Sequence, residues 1–356
     1  MSKKVAIAIS GGVDSSAAAW LLKEEGHDVI GVTMCLGIPT EEDGPVKCCG
    51  PKEIEDARRV CQKIGIPHYV LDFASDLEDK VIRPFIAEYL KGRTPNPCVE
   101  CNRSIKFGTL LQKVRAMGFE YLATGHYARV DHDHVPSRLR VPRDTRKDQT
   151  YFLYAMGKEE LRHVLFPLAD YNKDEVRKLA AAAQLPTSEK PDSQDICFIS
   201  KEGLEPFIKE HAGEKIDPGD IVNHEGRVLG RHRGLPFYTI GQRGGLGISH
   251  RTPLYVLTLD IESNRLVVGE KHEVRATGLI ADNLNLLADH PPERATAKIR
   301  YAHRAAACEV KWEDTSLIVH FDQTQEAITP GQSVVVYDGD MVVGGGIIKE
   351  VLGGSN

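Results

Sequence analysis

The chain has 356 residues, of which 41% are hydrophobic and 27% are charged, and its formal net charge is −6. This length predicts roughly two or three domains with substantial cores, and the charge excludes a uniformly basic nucleic-acid coat. No window approaches the ~18 consecutive apolar residues of a membrane span, and the start MSKKVAIAISGG lacks the features of a secretory signal. We therefore expect a cytoplasmic protein without a membrane partner, whose eight cysteines are reduced thiols.

The first 130 residues alternate strand and helix patterns. Short apolar runs predict strands at 5–9, 28–34, 68–73 and 121–124, and periodic segments predict helices at 15–25, 51–64, 77–90 and 103–117. This alternation predicts a parallel sheet covered by helices. Further helices are predicted at 149–156 and 173–184, and Asn172 is a natural N-cap for the second of these.

The pattern changes near residue 210, where short β-branched runs are separated by turns such as 217–219 and 329–332. We therefore predict a C-terminal β-barrel, with a sandwich as the alternative, after a small β-rich middle module. The predicted boundaries are 1–205 for the α/β domain, 206–273 for the middle module and 274–356 for the barrel.

A glycine-rich turn joins the first predicted strand to the first predicted helix. It has the sequence Ser10-Gly11-Gly12-Val13-Asp14-Ser15-Ser16 and is called the phosphate loop below. Glycines allow the backbone to approach a charged ligand, and the N–H groups of a helix N-terminus bind anions. The loop is not a Walker A motif, because no Gly-Lys-Ser/Thr follows. An ordinary strand-to-helix turn is the alternative interpretation.

The cysteines form two kinds of environment. Cys35, Cys61 and Cys308 lie in apolar patterns typical of a core, whereas Cys98 and Cys101 lie in a proline-containing loop before a predicted helix. A thiol near a helix N-terminus has a lowered pKa and is reactive. Together with the remote thiol in Ser193–Phe198, the pair could be a redox dithiol, a metal ligand set, or a nucleophile with a resolving partner. No role is assigned to the adjacent pair at 48–49.

Three stretches concentrate basic residues in this acidic protein. They are 138–147, 227–251 and 298–304, and the second holds five arginines and no carboxylate. Each could be a solvated surface, but together they predict a basic track for RNA phosphates.

The motifs as a set resemble one family. SGGVDSS matches the pyrophosphate loop of the N-type ATP pyrophosphatases. Over its whole length the chain is also similar to the bacterial tRNA 2-thiouridylases, the MnmA or TrmU family. The motifs that carry this similarity are NPC-x-x-CN-x-x-IKFG, ATGHYAR, KDQTYFLY, SQDICFI and GQRGGLGI. The resemblance implies an adenine-nucleotide α-hydrolase-like fold. It also implies ATP-dependent replacement of the C2 oxygen of the wobble uridine by sulfur, in tRNAs for lysine, glutamate and glutamine, through an adenylated uridine.

The same resemblance implies roles for individual residues. Cys101 corresponds to the nucleophile, Cys197 to the cysteine that receives a persulfide sulfur, and Asp14 to a residue near Mg²⁺. The implied ATP-binding residues are Ala8, Ile9, Ser10, Gly11, Gly12, Val13, Asp14, Ser15, Ser16, Met34 and Gly125. Those implied at the target base are Asn96, Pro97 and Cys98. Those implied at the tRNA anticodon loop are His126, Lys147, Asp148, Gln149, Arg300, Tyr301 and Gln332.

One position departs from the commoner family pattern, which has Asn-Pro-Asp where this chain has Asn96-Pro97-Cys98. Cys98, Cys101 and Cys197 could therefore hold a [4Fe–4S] cluster with one open iron that binds hydrosulfide. In the alternative, sulfur travels as a persulfide and Cys98 is a spare thiol. The sulfur donor would be a sulfur-relay protein, a cysteine desulfurase or free sulfide.

Two rival functions stay open. If the protein is an amide-forming ATP pyrophosphatase ligase, the phosphate loop is explained but the cysteines have no function. If it is an RNA-binding iron–sulfur redox sensor, the cysteines are explained but the phosphate loop has no function. Pyrophosphate release that depends on tRNA separates all three hypotheses.

Overall fold

The computed structural model describes residues 2–38, 51–191, 196–200, 202–212 and 216–354. The cysteine pair at 48–49 and residues 193–195 lie outside this part. The chain forms two compact units, each built from segments that are distant in sequence. The first unit comprises 1–81, 98–195 and 340–342, and the second comprises 82–97, 196–339 and 343–356. The three-part division at 205 and 273 stays a prediction.

The first unit contains the predicted parallel sheet. Val5, Ala6 and Ile7 of its central strand are fully buried, as expected when helices cover both faces. Val5 pairs with Val29 on one side and Tyr121 on the other. The strand order is β3-β2-β1-β4-β7. The strands β5 and β6 form an antiparallel hairpin outside this sheet, and Arg140 of β6 pairs with Met341. The strands are β1 Lys4–Ala8, β2 Asp28–Cys35, β3 His68–Asp72, β4 Tyr121–Ala123, β5 Arg129–Asp131, β6 Arg138–Arg140 and β7 Val164–Leu165.

The helices follow the predicted pattern with different lengths. Where 149–156 is predicted, only a four-residue helix forms. No helix in the described part of the chain is long and apolar enough to cross a membrane. The α-helices are α1 Val13–Glu24, α2 Pro51–Ile64, α3 Ala74–Leu77, α4 Arg83–Leu90, α5 Pro97–Glu100, α6 Leu111–Ala116, α7 Thr150–Leu153, α8 Lys158–Leu161, α9 Lys173–Ala182 and α10 Leu204–Ala212, and short 3₁₀ turns lie at Leu235–Phe237 and Lys271–Val274.

The predicted N-cap of α9 is confirmed. The side chain of Asn172 accepts a hydrogen bond from the N–H of Glu175 at 2.9 Å, and the Glu175 carboxylate accepts one from the N–H of Asn172 at 2.8 Å. This capping box fixes where the helix starts, and it therefore fixes the position of Lys173, its first residue.

Two helical runs contain π-helical turns. One is Glu78–Ile82, and the other is Cys101–Leu110, which joins α5 to α6 in a continuous run over 97–116, called the thiol helix below. The run starts six residues before the predicted helix, because Pro97 suits the first turn of a helix. The prediction of a loop around Cys98 is therefore wrong.

Gly108 explains how the thiol helix adopts the wider turn. A Cβ at this position would lie 2.9 Å from the carbonyl oxygen of Arg103, five residues earlier. The hydroxyl of Thr109 donates to the carbonyl oxygen of Ser104, also five residues earlier, at 3.2 Å. Turns of this kind are rare and are frequently found at functional sites.

The second unit contains a four-stranded sheet and a barrel. The sheet has the order β10-β11-β8-β9, and the barrel has the order β12-β15-β14-β13-β16-β17, closed by pairing of β12 with β17. Leu279, Val319 and Val343 are fully buried in the barrel core. Closure leaves no open sheet edge and confirms the predicted barrel. The strands are β8 Gly219–Val222, β9 Val228–His232, β10 Tyr255–Asp260, β11 Arg265–Gly269, β12 Arg275–Leu286, β13 Arg294–Lys298, β14 Ala306–Trp312, β15 Leu317–Glu326, β16 Ser333–Asp338 and β17 Met341–Leu352.

The π-helical turn predicts an unusual effect of a glycine-to-alanine change. Alanine normally stabilises a helix relative to glycine by up to about 1 kcal/mol. We expect Gly108→Ala instead to lower the free energy of unfolding by about 1–2 kcal/mol, because the new methyl group meets the Arg103 carbonyl. Urea unfolding and hydrogen exchange of peptides from 97–116 measure the effect. Gly244→Ala, where nothing lies within 4 Å, is the control, and a stabilised Gly108→Ala would contradict the π-helical turn.

Candidate active site

The phosphate loop turns sharply between β1 and α1. Gly11 has φ +71, and a Cβ there would lie 2.6 Å from the carbonyl oxygen of Glu53. Only glycine tolerates both the left-handed conformation and this close approach. The backbone N–H groups at the start of α1 are thereby placed beside the turn, where they can meet an anion.

The serine hydroxyls shape the phosphate loop from inside. The Oγ of Ser15 accepts a hydrogen bond from the N–H of Ser10 at 3.2 Å. The Oγ of Ser16 donates to the carbonyl of Gly12 at 2.7 Å and accepts from the hydroxyl of Thr187 at 2.9 Å. Ser16 is fully buried and Ser10 is exposed. Ser16 therefore holds the loop in shape, while Ser10 is open to a ligand.

Asp14 takes part in a partly buried ion pair that the sequence did not indicate. Both of its carboxylate oxygens lie 2.7 Å from the Nζ of Lys173, and the hydroxyl of Tyr127 donates to Oδ1 at 2.9 Å. Lys173 is only 8% exposed. Sequence reasoning missed Lys173 because its only local signal is its place after the N-cap of α9, 159 residues from Asp14.

The end of β4 runs directly against the phosphate loop. A Cβ at Gly125 would lie 2.6 Å from the backbone nitrogen of Ser15 and 2.8 Å from the carbonyl carbon of Asp14. Met34, near the end of β2 on the other side of β1, is half-buried. A glycine cradle, an open hydroxyl and a buried ammonium fit the phosphates of a nucleotide.

The two cysteines of the thiol helix differ in exposure and share a raised pKa. Cys98 is exposed on α5, and Cys101 is half-buried at the first π-helical residue. Burial raises the pKa of Cys101, the ammonium of Lys106 opposes this, and the carboxylate of Glu100 adds to it. Surrounding protein atoms also raise the pKa of Cys98, and Lys106 again opposes. The lowered pKa expected at a helix N-terminus is outweighed by desolvation.

Side chains next to Cys101 fix the thiol helix in place. Glu100 forms an ion pair with Arg103 at 2.7 Å and accepts a short hydrogen bond from Ser104. The buried amide of Asn102 donates to the carbonyl of Phe152 at 3.0 Å. The nucleophile candidate is therefore held by a neighbour on each side.

His126 follows Gly125 and faces the thiol helix. Its Nδ1 lies 2.8 Å from the hydroxyl of Thr124, and its ring packs 6.1 Å from Phe107 of the thiol helix and 6.2 Å from Phe166. Burial lowers the pKa of His126 well below its usual value, and the charge of Lys106 lowers it further. The imidazole is therefore neutral at pH 7.

The third candidate thiol, Cys197, belongs to the second unit. It is exposed on a short turn, and its neighbour Phe198 is buried against Phe85 at 5.5 Å and Phe207 at 5.2 Å. This aromatic cluster anchors the turn and leaves the thiol accessible. Among the described residues, no group of three or more His, Cys, Asp or Glu side chains is placed to hold a metal ion. The [4Fe–4S] cluster stays a prediction.

Three arginines of the basic stretch 138–147 form ion pairs within the protein. Arg140 pairs with Asp340 at 2.8 Å, Arg143 with Glu175 at 3.2 Å, and Arg146 with Asp144 at 3.3 Å. Asp340 and Glu175 come from distant parts of the sequence, whereas Asp144 lies within the stretch itself. The role of the stretch in binding RNA stays a prediction.

Several residues implied at the tRNA make hydrogen bonds within the protein. The Oδ1 of Asp148 accepts from the N–H of Thr150 at 2.9 Å, and the Oε1 of Gln149 accepts from the N–H of Tyr127 at 2.8 Å. In the second unit, Arg300 donates to the carbonyl of Ala327 at 2.6 Å, and Gln332 donates to the carbonyl of Thr94 at 2.7 Å. Tyr301, in contrast, is 38% exposed. The four bonded side chains shape the surface around any RNA contact they make.

The middle stretch 227–251 keeps open cations. Arg233 pairs with Glu205 at 2.8 Å. Within the described residues, no carboxylate lies at ion-pair distance from the other four arginines, which are all exposed: Arg227, Arg231, Arg243 and Arg251.

Comparisons with known proteins cover nearly the whole chain. Residues 3–201 match the tRNA methyl transferase HUP domain, 205–270 match the tRNA methyl transferase PRC-barrel domain, and 276–348 match the aminomethyltransferase beta-barrel domain. A solved 4-thiouridine synthetase–RNA complex with bound ATP is 17% identical and covers 55% of this chain and 45% of that chain, with a TM-score of 0.34. That likeness is too low to add to the assignment.

Curated relatives match over nearly their full length. The tRNA-specific 2-thiouridylase MnmA 1 of Syntrophus aciditrophicus is 53% identical, over 99% of this chain and 94% of the relative. The tRNA-specific 2-thiouridylase MnmA of Clostridioides difficile is 46% identical, over 99% of each chain. With this identity over the full length, the chain belongs to the MnmA family of tRNA-specific 2-thiouridylases.

Proposed function

We propose that the protein catalyses ATP-dependent 2-thiolation of the wobble uridine in tRNAs for lysine, glutamate and glutamine, through an adenylated uridine. One observation carries the proposal. A glycine-shaped anion site and a helix that bears two cysteines lie in the same unit and are connected by the consecutive residues Gly125 and His126. Membership of the family supports the choice of tRNA as the substrate.

The first half-reaction activates the base. The backbone of the phosphate loop and Lys173 bind the phosphates of ATP, and the uridine O2 attacks the α-phosphorus while pyrophosphate leaves. Asp14 holds Lys173 in place. Mg²⁺, when bound at the Asp14 carboxylate, would neutralise phosphate charge. The neutral His126 supplies a hydrogen-bonding group without adding charge.

The second half-reaction replaces oxygen by sulfur. In the persulfide route, the terminal sulfur on Cys197 attacks C2, and AMP leaves with the electron pair of the C–O bond. A thiolate at Cys101 then attacks the inner sulfur, which breaks the S–S bond and releases 2-thiouridine. This leaves a disulfide, so an external thiol reductant is needed for the next cycle. The persulfide comes from a sulfur-relay protein or a cysteine desulfurase, whereas free sulfide suits the cluster route.

Pyrophosphate release tests the function directly. We expect release by the wild-type protein only when tRNA is present. In Asp14→Asn the rate of release should fall about 100-fold, because Lys173 loses the charged partner that holds it beside the reacting phosphates. Asp28→Asn removes an exposed carboxylate of the same unit and should leave the rate unchanged. Release without tRNA would favour a ligase, and no release would favour an RNA-binding sensor.

The salt dependence of tRNA binding tests the open arginines. We expect Arg231→Ala to weaken binding and to reduce the log–log salt slope by about one unit, as for one lost phosphate contact. Arg233→Ala is the matched control and should change the slope less, because Glu205 already pairs with Arg233. Equal slopes in all three proteins would mean that this stretch is a solvated surface.

Cys98 distinguishes the two sulfur routes. If a cluster delivers the sulfur, Cys98→Ala should lose both iron and thiolation, as Cys101→Ala should. If a persulfide delivers it, Cys98→Ala should keep much of the activity, and Cys101→Ala should be inactive. Thiolation of tRNA transcripts is measured with and without oxygen, and iron is counted in each protein. A fully active, iron-free Cys98→Ala protein excludes the cluster.

A further inference from the structure

Lys106 lies one π-helical turn after Cys101. In a π-helix, residue i bonds to residue i+5, so Cys101 and Lys106 are successive neighbours along the helix. In an α-helix, five residues correspond to a rotation of about 140° beyond one full turn, and Lys106 would point away from the thiol. The π-helical turn, which Gly108 permits, therefore places the ammonium on the side of Cys101.

The ammonium of Lys106 has no counter-ion among the residues that the structure describes. The side chain is half-buried, and no carboxylate of the described residues lies at ion-pair distance. The nearest acidic side chain along the helix, Glu100, is already paired with Arg103. The electrostatic effect of Lys106 reaches Cys98, Cys101 and His126, none of which provides a permanent negative charge. A partly desolvated cation without an anion is costly, which favours an anionic ligand.

The position of Lys106 indicates which anion it meets. Gly125 touches the phosphate loop at Ser15, and the next residue, His126, packs on Phe107, the neighbour of Lys106. Lys106 is thus close to the thiols on one side and to the strand end that borders the phosphate loop on the other. During sulfur transfer, the phosphate that joins the activated base to adenosine must lie between these two features, because sulfur attacks the carbon that bears it.

We infer that the ammonium of Lys106 binds the phosphate of the adenylated base and of the departing AMP, and that Lys106 is a catalytic residue of the sulfur-transfer step. The inference rests on the proposed function. As the C–O bond breaks, negative charge grows on this phosphate, and a fixed cation stabilises it more in the transition state than in the ground state. Lys173, which Asp14 holds beside the phosphate loop, instead binds the phosphates of ATP in the proposed first half-reaction.

AMP and adenosine are the probes, because they differ only by the phosphate. We expect wild-type protein to bind AMP more tightly than adenosine in calorimetry. Lys106→Met should reduce that preference about tenfold, the effect of losing one charge-assisted contact, and should leave adenosine binding unchanged. Lys106→Arg should restore the preference. Lys113→Met removes an exposed ammonium from the same helical run and serves as the matched control.

Thiolation completes the test. The turnover rate should fall about 100-fold in Lys106→Met, while tRNA affinity stays the same and Lys106→Arg recovers part of the rate. An undiminished AMP preference, or unchanged thiolation, in Lys106→Met would overturn the inference although the wild-type protein thiolates tRNA. If wild-type protein thiolates no tRNA, the proposed function fails instead, and the two failures are thus distinguishable.

Discussion

The nucleotide side of the site depends on the ion pair between Asp14 and Lys173. It connects the first turn of α1 to the first residue of α9, and Tyr127 adds a hydrogen bond from the segment after β4. Three elements that are far apart in sequence are therefore fixed around one carboxylate. Because Lys173 is almost fully buried, little water can reach its ammonium to replace the Asp14 carboxylate. In the proposed reaction, a phosphate that binds Lys173 shares the ammonium with Asp14 or displaces Asp14, so nucleotide binding is coupled to the placement of these elements.

At Cys101, burial and the charge of Lys106 have opposite effects on the pKa of the thiol. Burial outweighs the charge of Lys106, so the thiol of Cys101 is protonated near neutral pH. A protonated thiol reacts slowly with oxidants and alkylating agents. Its proton must leave when the substrate is in place, and the half-buried, neutral His126 packs on Phe107 of the thiol helix. Restricting thiolate formation to the loaded site protects a cysteine that would otherwise be consumed by side reactions.

The parts of the site that the sequence predicted are those set by local patterns. Buried apolar runs predicted β1 and β2, Asn172 predicted the start of α9, and the glycines of the phosphate loop predicted its shape. The π-helical turn was not predictable, because its apolar spacing resembles that of an α-helix over ten residues. Lys173 and Lys106 were missed because their importance comes from tertiary neighbours. The ion pair between Arg140 and Asp340 was not predictable for the same reason, since the two residues are 200 positions apart in the sequence.

A π-helical turn is in effect an α-helix that carries an extra residue. Between Cys101 and Leu110 the length of the segment is therefore as important to the site as its side chains. Loss of any single residue there could be absorbed by a return to α-helical hydrogen bonding, and the fold would survive. It would, however, rotate Cys101 by about 100° relative to α6 and separate the thiol from Lys106. The segment can therefore accept substitutions at its exposed positions far more readily than a change in the number of its residues.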